Sequence, residues 1–122
     1  MAEPRLQQRR AAYRKGHVAE LVAAGFLAAK GYKLLARRYR TPSGEIDLIA
    51  KRGRTVVFVE VKARATLQEA LDAVGRDSER RISAAADLWL ARHPRAAGFS
   101  LRFDMVLVVP WRLPVHLRNA FA

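Results

Sequence analysis

A chain of 122 residues has room for one domain with a single modest core and none for a second. The absence of cysteine excludes disulfides, thiolate metal sites and cysteine nucleophiles and fits a reducing cytoplasm, while the three histidines lack metal-ligand spacing. A net charge of +12 points to a polyanionic partner, which in the cytoplasm means nucleic acid first.

Residues 1–10 form a polar, basic arm compatible with disorder, although Pro4 also suits a helix start. Glu3, Arg5, Arg9 and Arg10 open the chain and Glu20 divides its first apolar stretch, so neither a signal peptide nor a membrane span is expected. From about Leu6 to Lys30 the alanine-rich sequence predicts one helix, stopped by Gly31. Gly16, Glu20, Ala23, Ala24 and Leu27 recur at three- and four-residue spacing and share one face, whose small residues allow close approach to a sheet. Glu20 on that face either reaches a site on the sheet or pairs with Arg14, Lys15 or His17.

Tyr32 to Arg40 reads as a first strand, basic enough for an edge position. Thr41-Pro42-Ser43-Gly44 is a turn, after which Glu45 is expected to be solvated or arginine-paired. Ile46-Asp47-Leu48-Ile49-Ala50 and Val56-Val57-Phe58-Val59-Glu60-Val61-Lys62 then read as two arms of a hairpin, the second apolar on both faces and therefore central. With Gly53 and Arg54 at the centre of a two-residue turn, Arg52 pairs with Thr55 and Asp47 falls opposite Glu60; a turn at Arg52-Gly53 moves Asp47 opposite Phe58, on the same face. Lys62, two residues beyond Glu60, shares that face.

Opposed carboxylates repel, so something must hold them together. A hard divalent cation such as Mg²⁺ does so with one or two carboxylates, water and phosphate oxygens, and a neighbouring ammonium such as Lys62 can orient an attacking water or neutralise phosphate charge. The alternative is a Glu60–Lys62 salt bridge with an unrelated Asp47.

Thr66-Leu67-Gln68-Glu69 has a capping-box pattern and starts a helix at Leu67, interrupted near Gly75 and Asp77. A second helix is expected from Ser78 to Arg92, ending at His93-Pro94, with Leu88 and Trp89 in the core. A loop leads to a strand over Leu101 to Val109, ended by Pro110 and parallel to the Glu60 strand because a helical crossover separates the two. Arg102 and Asp104 share a face of it and suit a structural ion pair. Residues 111–122 hold a short strand or a helical turn.

Asp47 followed thirteen residues later by Glu60-Val61-Lys62 resembles the signature of the PD-(D/E)XK nuclease superfamily. The longer runs GEIDLIA and VFVEVKAR, with Ala19-Glu20 upstream and Arg102-Phe103-Asp104 downstream, resemble the YraN-type family of small bacterial nuclease-like proteins over about Gly16 to Phe121. The resemblance implies one α/β nuclease-like domain over 1–122, of restriction-endonuclease-like fold, a mixed sheet flanked by helices with an αβββαβ core. It implies Mg²⁺ or Mn²⁺ held by Asp47, Glu60, the Val61 carbonyl and Glu20, with Lys62 assisting the attacking water. Ser78 departs from the pattern, since relatives usually carry lysine there, and Arg76, Arg80 and Arg81 surround the gap.

Three functions follow as expectations. The first is a cytoplasmic Mg²⁺-dependent endonuclease that hydrolyses DNA phosphodiesters; the second is a non-catalytic nucleic-acid-binding module on the same fold; the third is a basic scaffold for RNA with no need of metal. Duplex, single-stranded and branched substrates all stay open. A junction-cutting enzyme would act as a homodimer, and no two-fold interface is legible in the sequence.

Overall fold

The computed structural model describes residues 4–121, with side chains over 16–75 and 78–121. The elements in chain order are α1 (Pro4–Ala29), β1 (Lys33–Thr41), β2 (Gly44–Arg52), β3 (Thr55–Ala63), α2 (Leu67–Asp72), α3 (Arg76–Arg92), β4 (Ser100–Val108) and β5 (Val115–Leu117), with a 3₁₀ turn at Pro94–Gly98 before β4. They build one sheet in the order β1-β2-β3-β4-β5. β1, β2 and β3 form an antiparallel meander, β4 runs parallel to β3, and β5 returns antiparallel to β4. The sheet is therefore mixed, with the basic β1 at an edge and the apolar β3 at its centre.

Alternation along β3 assigns the helices to opposite faces. Val57 and Val59 pack with Ala23 and Leu27 of α1, whereas Val56 and Phe58 pack with Ile82, Ala85, Ala86 and Trp89 of α3. A third cluster joins Ala70 of α2 to Met105, Leu107 and Val109. Because both faces of β3 are covered, Val56, Val57, Phe58 and Val59 are all buried, as the unbroken apolar run requires.

Two sequence expectations need correction. Residues 4–10 do not form a separate arm but lie in α1, since nothing between Pro4 and Gly16 breaks a helix and proline is favoured in its first turn; residues 1–3 lie outside the described part. Asp77 does not interrupt the second crossover helix: Gly75 caps α3, which begins at Arg76. Of the two alternatives for the chain after Pro110 the short strand is the one formed, and it pairs Met105 with Leu117.

Two glycines position the site. Gly53 takes φ 60 at the β2–β3 turn, and Arg52 pairs with Thr55, which fixes the hairpin in the first of the two registers considered. A Cβ on Gly44 would lie 2.0 Å from the Arg81 carbonyl oxygen, so α3 crosses the start of β2 at backbone contact. That approach brings Ser78 and Arg81 over the ends of β2 and β3.

Candidate active site

The β2–β3 ladder runs from Arg52↔Thr55 to Leu48↔Val59 and stops there. A continued ladder would set Asp47 against Glu60 and send the Val61 N–H to Ile46. Instead the Val61 N–H donates to Asp47 Oδ2 at 2.8 Å. The Asp47 carboxylate thus stands in for a stretch of backbone and plugs the gap where the strands part.

The strand pattern breaks at the same place. Leu48 packs into the α1-side cluster, but Ile46, two residues away, packs into the α3-side cluster, although strict alternation would put both on one face. Across the ladder, Arg37 pairs with Leu48 and Tyr39 with Ile46, and the intervening Arg38 has φ 50. A non-glycine residue in this left-handed region turns the strand locally, as a bulge does. Asp47 is therefore not simply on the face that carries Glu60, as the sequence suggested. It lies between the faces, lining one cleft with Gly16, Ala19 and Glu20 of α1 and another with Glu60, Ser78 and Arg81.

The electrostatics follow from that placement. Burial pushes the Asp47 carboxyl up to about 6, the Val61 N–H opposes this, and the neighbouring Glu20, Glu60 and Glu45 add to the rise. Glu60 is held on one oxygen only: Lys62 Nζ and the Ser78 hydroxyl each lie 3.0 Å from Oε1. Its Oε2 is buried with no hydrogen-bond partner among the described residues. A buried acceptor left in this state costs about 1–3 kcal/mol, more when charged. Glu60 and Lys62 side chains are 17% and 19% exposed, so their ion pair is shielded without being sealed.

Glu20 approaches Asp47 from α1, with its Oε2 held by Arg38 Nε at 2.6 Å. Arg38 was not among the partners expected for it, and Arg14 and Lys15 lie outside the described side chains. Glu45 pairs with Arg81 at 3.1 Å and Arg40 at 3.7 Å on the surface, the arginine-paired role the sequence suggested. Val61 contributes through its backbone. On an extended strand a residue's N–H and C=O leave on the same side, so its carbonyl faces the gap that Asp47 fills.

Asp47, Glu60, Val61, Lys62 and Ser78 are thus brought to one end of the β2–β3 pair, with Glu20 on the α1 side. Among the described residues no three or more His, Asp or Glu side chains come together as a ready metal cage. A cation here would draw on the two sheet carboxylates, the Val61 carbonyl and water or substrate oxygens, the sparse protein shell typical of Mg²⁺.

Asp104 takes no part in this group. It is 0% exposed and accepts from Arg102 Nε at 2.7 Å, Arg102 Nη2 at 2.8 Å, His116 at 2.7 Å and the Asn119 N–H at 3.0 Å. These donors hold its carboxyl well below the usual carboxylate range against the opposing effect of burial. Lys30 Nζ lies 2.6 Å from His116 Nδ1, and Arg102 also reaches the Tyr32 hydroxyl at 2.7 Å. With an ammonium on Nδ1, His116 carries its proton on Nε2 and donates it to Asp104. The sequence pointed to the Arg102–Asp104 pair but not to His116, Lys30, Tyr32 or Asn119, whose separations of 12 to 86 residues leave no local signal. No helix among the described residues is long and apolar enough to cross a membrane.

Fold and site together define a small mixed α/β domain in which one half-buried carboxylate bridges two parting strands beside a half-satisfied second one. Residues 19–108 match the sequence profile of the uncharacterised protein family UPF0102, and the chain belongs to that family, the YraN-type family expected from its motifs. It is 60% identical over 121 residues to a UPF0102 protein of Mesorhizobium japonicum, covering 99% of this chain and 97% of that one. It is also 57% identical over 114 residues to a UPF0102 protein of Agrobacterium fabrum, covering 93% of each chain.

Proposed function

We propose that the chain is a Mg²⁺- or Mn²⁺-dependent phosphodiesterase of restriction-endonuclease-like fold that cleaves DNA. The observation that carries this reading is the pair of neighbouring carboxylates at the parted strands, Asp47 with its proton affinity raised and Glu60 with one buried oxygen unclaimed. Such a pair is costly in the free protein and fits a hard cation that accepts oxygen ligands. When bound, the metal supplies Lewis-acid polarisation of the phosphoryl oxygen and a lowered pKa for a coordinated water.

The chain's own groups divide the remaining work. Asp47, Glu60 and the Val61 carbonyl would hold the ion, and Glu20, whose Oε2 is held by Arg38, would join through its other oxygen. Lys62, whose ammonium already lies 3.0 Å from Glu60 Oε1, is placed to hold an attacking water or to meet developing phosphate charge. The net charge of +12 would retain DNA through its phosphates, so log affinity should fall with log salt at about −0.9 per phosphate contacted.

A second reading, a nucleic-acid-binding module without turnover, is favoured by one observation. Ser78 donates a neutral hydrogen bond to Glu60 at the position where the resemblance leads one to expect lysine. The two readings part in an assay of linear, nicked, flapped and four-way-junction DNAs with Mg²⁺ or Mn²⁺. We expect cleavage of at least one substrate, abolished by chelation and by Glu60→Gln. Lys62→Met should leave metal binding intact while the rate falls by about two orders of magnitude or more. Salt-sensitive binding with no turnover on any substrate selects the second reading. If Glu60→Gln and Lys62→Met both bind metal like wild type and only melt at lower temperature, the pair is a structural salt bridge and the nuclease reading fails.

A further inference from the structure

A groove of about 420 Å³ lies between α1 and the end of β4, within the range of ligand pockets, about 300–1,000 Å³. Val18 and Val22 form one wall, Val108 and Pro110 the other, and Arg64 and Arg112 are its charged lining residues. Among the described residues no aspartate or glutamate lines it. It shares Ala19, Ala63 and Arg64 with the cleft that reaches Asp47, so groove and candidate active site are continuous.

At its rim, between Pro110 and Arg112, Trp111 stands fully exposed at 102% with φ 66, followed by Leu113 at 78%. Pro110 and Pro114 bracket this loop and narrow the backbone choices at its two ends. An apolar trough beside a free indole, rimmed by arginines, is chemically matched to a flat apolar ring carried on an anionic chain. Bases in a duplex hide their faces in the stack; unpaired bases present them.

We propose that this groove, with Trp111, seats unpaired nucleotides of a DNA strand whose adjoining phosphate lies at Asp47 and Glu60. The placement of that phosphate rests on the nuclease reading above, while the seating of unpaired bases does not. The substrate class named is DNA with a single-stranded segment next to the scissile phosphate, such as a flap, an overhang or an opened branch. A second copy of this chain is a poorer occupant, because it would bring another net charge of +12 and the same arginines to the contact.

The test is fluorescence anisotropy in EDTA with two labelled DNAs, a blunt duplex and the same duplex with a single-stranded extension. Wild type should bind the extended DNA more tightly by roughly 5- to 100-fold, the range that stacking of one base corresponds to. Trp111→Ala and Val22→Asp, both at exposed positions and so tolerable to the fold, should remove most of that preference and leave the affinity for blunt duplex unchanged. Equal wild-type affinity for the two DNAs overturns the proposal, as does a Trp111→Ala loss that is the same for both. It is also overturned if Trp111→Ala leaves the preference intact and instead abolishes self-association in sedimentation or binding to anionic vesicles. Because no metal is present, absence of cleavage elsewhere leaves this result standing. Conversely, metal-dependent cutting of blunt duplex without any preference for extensions would sink the groove and spare the nuclease reading.

Discussion

Two aspartates of the sheet, Asp104 fully buried and Asp47 half-buried, make opposite arrangements with their surroundings. Asp104 gathers donors from β4, β5 and the C-terminal segment and ends with its carboxyl held well below the usual range. Among the described residues Asp47 has a single donor, the Val61 N–H, with three acids for neighbours and a pKa raised to about 6. Burial opposes ionisation at both, so burial does not separate them. The supply of donors does: where a chain can satisfy a buried carboxylate and has done so, the group belongs to the scaffold, and where it withholds partners, the group is poised for something the free protein lacks.

The largest expected effect lies on the satisfied side. Asp104→Asn removes the charge that pairs with Arg102 and leaves one oxygen for donors that now use two, and breaking a buried ion pair from one side costs about 3–5 kcal/mol. A thermal melt should show Tm falling by roughly 10 °C or more. The sign with pH is fixed by the depressed pKa. The contribution of Asp104 is complete above its unfolded value near 3.8 and is lost as pH falls below that, so the variant should lose part of the wild type's acid-side sensitivity.

Asp47→Asn should act in the other direction. Its folded pKa of about 6 exceeds the unfolded 3.8, so the folded state prefers the protonated group, and stability declines as pH rises from about 4 to 6 and is level above. Asparagine keeps an oxygen for the Val61 N–H and removes the charge. The variant should therefore be more stable than wild type near pH 7.5 by on the order of 2 kcal/mol, and no different below pH 4, in chemical denaturation. On the proposed metal-dependent reading, Mn²⁺ should stabilise wild type by about 2.7 kcal/mol at a hundred times its dissociation constant, and the same change should erase that gain. A stability loss at neutral pH would mean that Asp47 is a structural group like Asp104.

What was legible in the sequence was governed by local rules. Gly53 set the hairpin register, with Arg52 against Thr55; the Thr66 hydroxyl accepts from the Glu69 N–H at 3.2 Å, as the capping pattern required; and the apolar run over Val56 to Val59 marked the central strand. What was missed depended on contacts between distant segments or on backbone states without a residue signature. Arg38 at φ 50 is an arginine where glycine or asparagine would have been the cue, so the break of alternation between Ile46 and Leu48 left no mark. Ser78 was noted for what it is not, but its hydroxyl's approach to Glu60 depends on Gly44 letting α3 come to backbone contact. The His116 contact with Asp104 needed the pairing of β4 with a three-residue strand, which is too short for periodicity to reveal.

The smallest effect sharpens the contrast at its margin. Glu45 is exposed, pairs with Arg81 and Arg40, and is the last of three acids that raise the Asp47 pKa, after Glu20 and Glu60. Glu45→Gln forfeits two surface ion pairs, together worth about 1 kcal/mol or less. It also relieves part of the repulsion on Asp47, so the net change in stability should be close to zero. The titration of Asp47 is the more sensitive readout. Followed by carbon NMR of its carboxyl group, the midpoint should move down from about 6 in Glu45→Gln, and further in Glu60→Gln and Glu20→Gln, because those acids act on Asp47 more strongly. Glu20→Gln also removes the charge that pairs with Arg38, whose guanidinium borders the same cleft as Asp47 and would lower the midpoint again. A midpoint that ignores all three substitutions would mean that burial alone raises Asp47, and the acids around it would no longer form one electrostatic unit.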